Sequence, residues 1–385
     1  MKNFWIIAGE ASGDMYGAAL AKELRKLAAT NNEEIHITGM GGPKMMAADI
    51  PVKVDSTELG VVGIFEVTRI LFTFIKIFFK LVREAKKERP DAVILIDYPG
   101  FNLLFARAMY KAKIPVVWYV CPHLWVWAKW RLPVLAKICS KMLVIFPFEE
   151  EVFAPTPLKA TFVGHPLSEI VGNRLNPELV RDPDTFLLLP GSRKMEIDKL
   201  LVPMLETITR LQQKHPNLKF HLAAPREKVA NMCKAKIAKF RAKHPDCPEV
   251  SISCGDTGVW MQTAGTGLAA SGTVTVECAL SGLPLVVGYK LNFLTLLVGM
   301  VLVKLYRGFF TMVNIIANRE VFQEFLQWHF APDELLPAIE AILPGGSRRA
   351  DVEAGMKEVS DALRNPNNTS VAERVAKECW DVKPR

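Results

Sequence analysis

Short apolar runs alternate with longer amphipathic stretches along the whole chain. Phe4–Ala8, Ile35–Gly39, Asp91–Asp97, Ile114–Val120, Met142–Phe146 and Thr161–Val163 have the near-continuous hydrophobicity of parallel strands buried on both faces. Residues 164–184 are polar and read as a linker. The rhythm restarts with Phe186–Leu189, Lys219–Ala223, Val250–Ile252, Leu268–Ala270 and Leu285–Tyr289. Helical periodicity falls between the runs, at Met15–Ala28, Glu196–His215 and Glu227–Lys243, and a helix is expected after residues 314–320. This alternation predicts an α/β chain of two parallel-sheet domains, residues 1–167 and 168–345. Residues 346–385 form amphipathic C-terminal helices, free to pack back on the first domain.

Two stretches depart from this rhythm. In Gly63–Lys87 the residues Arg69, Lys76, Lys80, Arg83 and Lys87 fall within about 60° of one another on a helix. Phe74, Phe78, Phe79 and their neighbours give the rest of that helix an apolar face wider than a core-facing helix needs. A basic stripe beside such a face suits the interface of a bilayer; the alternative is a sandwiched helix with a solvated stripe. Leu291–Phe310 begins with an uncharged run to Val303 and then carries Lys304 and Arg307. That run is too short to span a bilayer, which takes about 20 residues, and it reads as a second interfacial patch or a buried helix.

Composition narrows the function classes. The chain has 385 residues and a formal net charge of +8, which fits an anionic substrate or membrane surface. Nucleic acid is disfavoured, because the basic residues interleave with acids and no basic/aromatic strand motif is present. The seven cysteines show no metal-ligand spacing, so reduced thiols and no metal are expected. The N-terminal apolar run is too short for a signal peptide, which predicts a cytoplasmic protein.

Candidate chemistry lies at the strand-to-helix turns. Ser271, Gly272 and Thr273 would start a helix, where free N–H groups and hydroxyls favour a phosphate or diphosphate. Glu277, one turn on, could bridge two ribose hydroxyls, and Gly282 with Pro284 ends the helix. The turn Gly9-Glu10-Ala11-Ser12-Gly13-Asp14 lacks GxGxxG spacing, which disfavours NAD. Asp97 closes a strand at the end where open α/β sheets bind ligands, and a carboxylate there can serve as a general base or as the cap of the next helix. His123, within a stretch rich in Trp, and the amide of Asn314 complete the candidates.

GEASGD (9–14), VVGIFEV (61–67), IDYPGFN (96–102), YVCPHLWVW (119–127), FVGHPL (162–167), LPGSR (189–193) and ASGTVTVECAL (270–280) occur in order over nearly the whole chain. The set resembles the lipid-A-disaccharide synthase family, membrane-associated inverting glycosyltransferases of the GT-B fold. Cys121, His123 and Asn318 depart from the family pattern. The resemblance implies two Rossmann-like domains facing a cleft, the first for the acceptor and the second for the donor. It further implies UDP-2,3-diacylglucosamine as donor, 2,3-diacylglucosamine 1-phosphate (lipid X) as acceptor, and no cofactor or metal. The enzyme would sit peripherally on the cytoplasmic face of the inner membrane; a homodimer stays open. In these terms Asp97, with Asp14 and Glu10 as alternatives, is the expected base. Arg193, Ser271, Gly272, Thr273, Glu277 and Asn314 are the expected donor contacts. Ser12, His123, Phe74, Phe78 and Phe79 are expected to face the acceptor or lipid. The competing reading is another GT-B enzyme with a UDP-N-acetylglucosamine-type donor.

Overall fold

The computed structural model describes residues 1–56, 67–122, 124, 129–290, 308–366 and 369–383, with the side chains of 67–73 and 129 excepted. His123, Trp125, Trp127, the start of the 63–87 stretch and nearly all of the 291–310 stretch lie outside the described residues. The chain divides into two compact units. Met1–Pro166 and Leu363–Arg385 make the first, and Leu167–Ala362 the second. The segment expected as a linker is partly ordered into a helix, Pro166–Gly172, and into the beginning of a strand at Asp182.

The first unit is built on seven strands: β1 (Lys2–Ala8), β2 (Ile35–Gly41), β3 (Val52–Asp55), β4 (Ala92–Ile96), β5 (Val116–Tyr119), β6 (Lys141–Val144) and β7 (Ala160–Phe162). All pair in parallel, in the order β3-β2-β1-β4-β5-β6-β7. Such a sheet must be covered by helices on both faces, and its central strands are accordingly apolar throughout. Every residue of β4 is buried, as are Trp5 and Trp118. The C-terminal helix Val371–Trp380 returns to this unit and packs on the helix Ala11–Thr30.

The second unit has six strands: β8 (Asp182–Leu189), β9 (Lys219–Ala224), β10 (Val250–Cys254), β11 (Ala264–Ala270), β12 (Leu285–Tyr289) and β13 (Gln323–Leu326). These too are all parallel, in the order β10-β9-β8-β11-β12-β13. β13 replaces the helix expected soon after Asn314. It is an edge strand whose residues are all half-buried, so no apolar run marks it. In both sheets the winding direction reverses beside the first strand, between β1 and β4 and between β8 and β11. At each reversal the connections diverge and leave a crevice at the carboxyl ends of the strands.

The return of the last helix is directly testable. Trp380 is 8% exposed, its ring lies 5.9 Å from that of Phe4, and Lys2 Nζ donates to its carbonyl at 3.1 Å. Trp380→Ala should cost the first unit about 3 kcal/mol. Hydrogen exchange should show faster exchange in β1 and Ala11–Thr30 and no change in β8 and β11; equal loss in both units would contradict this division.

Candidate functional site

At the second reversal, the connections after four strands meet around a cavity of about 390 Å³, with Thr257 entering from the one after β10. Leu189 to Arg193 follows β8, Pro225 follows β9, and Ala270 to Thr273 follows β11. Thr273–Leu280 is a helix, as expected, and Gly272 is its N-cap with φ +156° and ψ −165°. A side chain would be strained in that conformation, so glycine keeps the backbone open at this point. No side chain caps this helix. Thr275 N–H turns back to Gly272 O at 3.1 Å, the N–H groups of Thr273 and Val274 remain for a ligand, and the helix dipole favours an anion there. Ser271, Gly272, Thr273 and Glu277 all line the cavity.

Glu277 is half-buried, and loss of water raises its carboxyl above the ordinary range, with Arg174 opposing that shift. A carboxylate held in a partly dry cavity is a strong acceptor for hydroxyl donors. Arg193 also lines the cavity; its guanidinium is largely exposed and lies 3.4 Å from Glu196. Asn314 does not line it. Its amide donates to Phe322 O at 2.7 Å and Glu324 Oε1 at 2.8 Å and accepts from the N–H groups of Val321 and Phe322, both at 2.9 Å. That uses the full capacity of a buried amide. The expected direct donor contact is therefore corrected to a lock within the 310–324 segment.

At the first reversal, β1 and β4 run side by side to Ala8 and Ile96, and the turns that follow touch. A Cβ on Gly9 would lie 2.2 Å from the Tyr98 ring, so the close approach requires glycine. Asp97 and Tyr98 are both left-handed, with φ +46° and +47°. Such residues carry strain of order 1 kcal/mol each, and the turn is held by Asn102, whose amide donates to Ile96 O and Asp97 O. The helix Pro99–Lys111 takes Tyr98, not Asp97, as its N-cap, and without a side-chain bond. Capping therefore does not account for Asp97. Its carboxyl is pushed up to about 6, first by burial and then by the negative charge of Glu10, against a hydrogen bond from Tyr98 N–H. Glu10 is exposed and stands at the N-cap of the helix Ala11–Thr30 without a capping bond from its side chain, and Ser12 is exposed beside it.

Asp14 is corrected. It is 3% exposed, and its oxygens accept from the N–H groups of Gly42 at 2.7 Å, Lys44 at 2.8 Å and Met45 at 3.0 Å. It anchors the start of the short helix Pro43–Ala47 and is not placed to take a proton. Phe74 and Phe78 are corrected as well. Both pack on the core, edge-on to Phe101 with ring centroids 5.2 and 5.8 Å away. Their helix, Val67–Glu88, presents Ile75 and Phe79 outward, 40% and 65% exposed, beside exposed Lys76, Lys80 and Arg83. No helix among the described residues is long and apolar enough to cross a membrane.

Sequence reasoning missed Glu196, Asn102 and Arg226. Arg226 Nη2 donates to Ser192 O at 3.5 Å, beside the cavity. A separate cavity of about 330 Å³ is lined by Lys2, Arg89, Lys113 and Trp380. It opens at the amino ends of β1 and β4, away from the reversal and its carboxylates.

Comparison with known proteins bears on the family and the fold. The family model for lipid-A-disaccharide synthetase matches residues 4–379. The lipid-A-disaccharide synthase of Koribacter versatilis is 36% identical, over 99% of this chain and 98% of its own. That of Coxiella burnetii is 33% identical, over 98% and 97%. Among solved structures, the UDP-GlcNAc 2-epimerase of Neisseria meningitidis bound to UDP-GlcNAc is 12% identical and covers 99% of both chains with a TM-score of 0.60. The UDP-GlcNAc 2-epimerase of Methanocaldococcus jannaschii is 16% identical, with the same coverage and a TM-score of 0.58. These structural likenesses establish the fold class, two parallel-sheet α/β domains of the GT-B kind. The sequence matches establish more: the chain belongs to the lipid-A-disaccharide synthase family.

Proposed function

We propose that this glycosyltransferase joins UDP-2,3-diacylglucosamine to lipid X, giving a β-1,6-linked disaccharide 1-phosphate and UDP. One observation carries the donor half of the reading: an uncapped helix start and a half-buried carboxylate line the same cavity at a sheet reversal. The diphosphate takes the N–H groups of Gly272 and Thr273 and the hydroxyls of Ser271 and Thr273, with Arg193 adding charge; the Ser271 N–H is held by Gly288 O at 2.8 Å. Glu277 accepts from the ribose hydroxyls. As the bond from the anomeric carbon to the diphosphate breaks, the helix end and Arg193 stabilise the negative charge left on UDP, and no metal is required.

Asp97 supplies the acceptor half. Its carboxylate takes the proton of the 6-hydroxyl while that oxygen attacks the anomeric carbon from the face opposite the leaving UDP, which inverts the centre. A carboxyl near 6 is ionised at neutral pH yet more basic than an ordinary aspartate, which suits a general base. The membrane half rests on Ile75 and Phe79, exposed among lysines and an arginine. That face would lie against lipid phosphates, where both diacylated substrates reside.

UDP release is the direct assay. It should require UDP-2,3-diacylglucosamine and lipid X together and survive EDTA. Turnover with a polyprenyl-linked acceptor and UDP-N-acetylglucosamine would favour the competing donor reading, and loss in EDTA restored by magnesium would refute metal independence.

Asp97→Asn should lower turnover by about 10²–10⁴-fold while sparing UDP affinity. The burial cost that raises the Asp97 carboxyl is absent below its unfolded value and complete above about 6. The asparagine variant should therefore match the parent in stability near pH 4 and exceed it by on the order of 2 kcal/mol at pH 8. A stable variant with parental turnover would remove Asp97 from the mechanism.

The acid limb of the wild-type kcat/KM profile should fall near pH 6 and move to lower pH in Glu10→Gln, because burial still raises the Asp97 carboxyl but the negative charge that adds to it is gone. An unmoved limb would mean that the titrating group is not Asp97.

Replacing Ile75 and Phe79 with serine should cut binding to anionic phospholipid vesicles several-fold with little change in melting temperature, since neither side chain is buried. A large fall in melting temperature with unchanged vesicle binding would assign that face to the fold.

A further inference from the structure

Glu196 lines the donor cavity, and the reaction assigned above gives it no task. It sits in the first turn of the helix Lys194–Lys214, whose N-cap is Arg193. Its Oε2 accepts from the N–H groups of Ser192 at 3.0 Å and Arg193 at 3.2 Å, and its Oε1 lies 3.4 Å from Arg193 Nη1. Gly191 is shaped around it. Its φ is +103°, and a Cβ there would lie 2.3 Å from Glu196 Oε2. The loop Gly191–Arg193 is thus moulded on one carboxylate, and that loop carries the only arginine that lines the cavity among the described residues.

Of the three helices that begin at this cavity, the short Thr257–Thr263 follows Asp256, whose carboxylate is engaged by Ser253 and Trp260, and the other two differ in how their starts are finished. One start is already filled by the carboxylate of Glu196, and the other, at Gly272, is bare. An anion brought to the first would meet a negative charge and find N–H groups already bonded. An anion at the second meets neither.

We propose that Glu196 is a positioning residue for the donor site. It holds Gly191–Arg193 in the shape that presents Arg193 to the diphosphate, and it reserves the Ser271–Thr273 helix start for that diphosphate. This deepens the donor reading above and rests on it. Glu196 itself touches no reacting atom. Its effect runs through Arg193 and the loop, so it concerns the charged part of the donor and not the nucleoside.

Titration calorimetry with UDP and with uridine tests this on the full chain. In Glu196→Ala, UDP affinity should fall by about tenfold, as for loss of hydrogen bonds to a charged group, with uridine affinity nearly unchanged. Glu196→Gln keeps an acceptor for the loop N–H groups and should retain most UDP affinity; it also serves if the alanine variant does not fold. In an Arg193→Ala background, Glu196→Ala should add little, because both changes remove the same contact. Equal loss of uridine and UDP, or full additivity with Arg193→Ala, would overturn the proposal and leave Glu196 a merely structural cap. A wild-type protein that binds no UDP would instead defeat the donor reading, and this proposal with it.

Discussion

A parallel sheet that reverses its winding direction leaves one place where consecutive helices splay apart, and there backbone N–H groups point outward without partners. The whole functional organisation of this chain follows from that constraint applied twice. In the first unit the reversal lies between β1 and β4 and collects carboxylates, Asp97 and Glu10. In the second it lies between β8 and β11 and collects helix starts. A group that attracts protons and a place that attracts phosphate are the two needs of a transfer from a nucleotide sugar. In the proposed reaction Asp97 would serve the first need and the helix start at Gly272 the second, each at the reversal of its own sheet.

The way each helix start is finished decides what it can do. Asp14 reaches across to the helix Pro43–Ala47 and closes it. Glu196 closes the helix on which it stands. Thr311 Oγ1 accepts from Asn314 N–H, and Asn314 and Glu324 complete that corner with a buried network. Gly272 has no such partner, and its extreme φ excludes a side chain that might intrude. The opening at Gly272 follows from a residue that has no side chain to finish the helix start.

Much of the architecture was legible because central parallel strands are buried on both faces and so read as apolar runs; Leu285–Tyr289 is found as expected, and Lys219–Ala224 is one residue longer than expected. The edge strands Val52–Asp55 and Gln323–Leu326 were not legible, since half-burial over so few residues leaves no period. At the candidate sites, Ser271–Gly272–Thr273 and Glu277 share one cavity, and the signal for that was the turn chemistry itself. The tasks of Asp14, Asn314 and Glu196 were hidden, because a polar side chain in a turn carries no mark of whether it faces a ligand or a backbone amide some residues away. Phe74 and Phe78 were misread for a related reason. A helix whose apolar face is very wide does not announce which part of it meets the core, and here Phe101 and Phe105 take those two rings and leave Phe79 outside.

The central claim is that the donor's diphosphate occupies the bare helix start in the second unit. Hydrogen exchange of the full chain with and without saturating UDP tests it most directly. The account predicts new protection concentrated in residues 271–277 and 191–193, with the strand ends at Asp97 unchanged. Protection confined to the first unit, or none at residues 271–277, would contradict it.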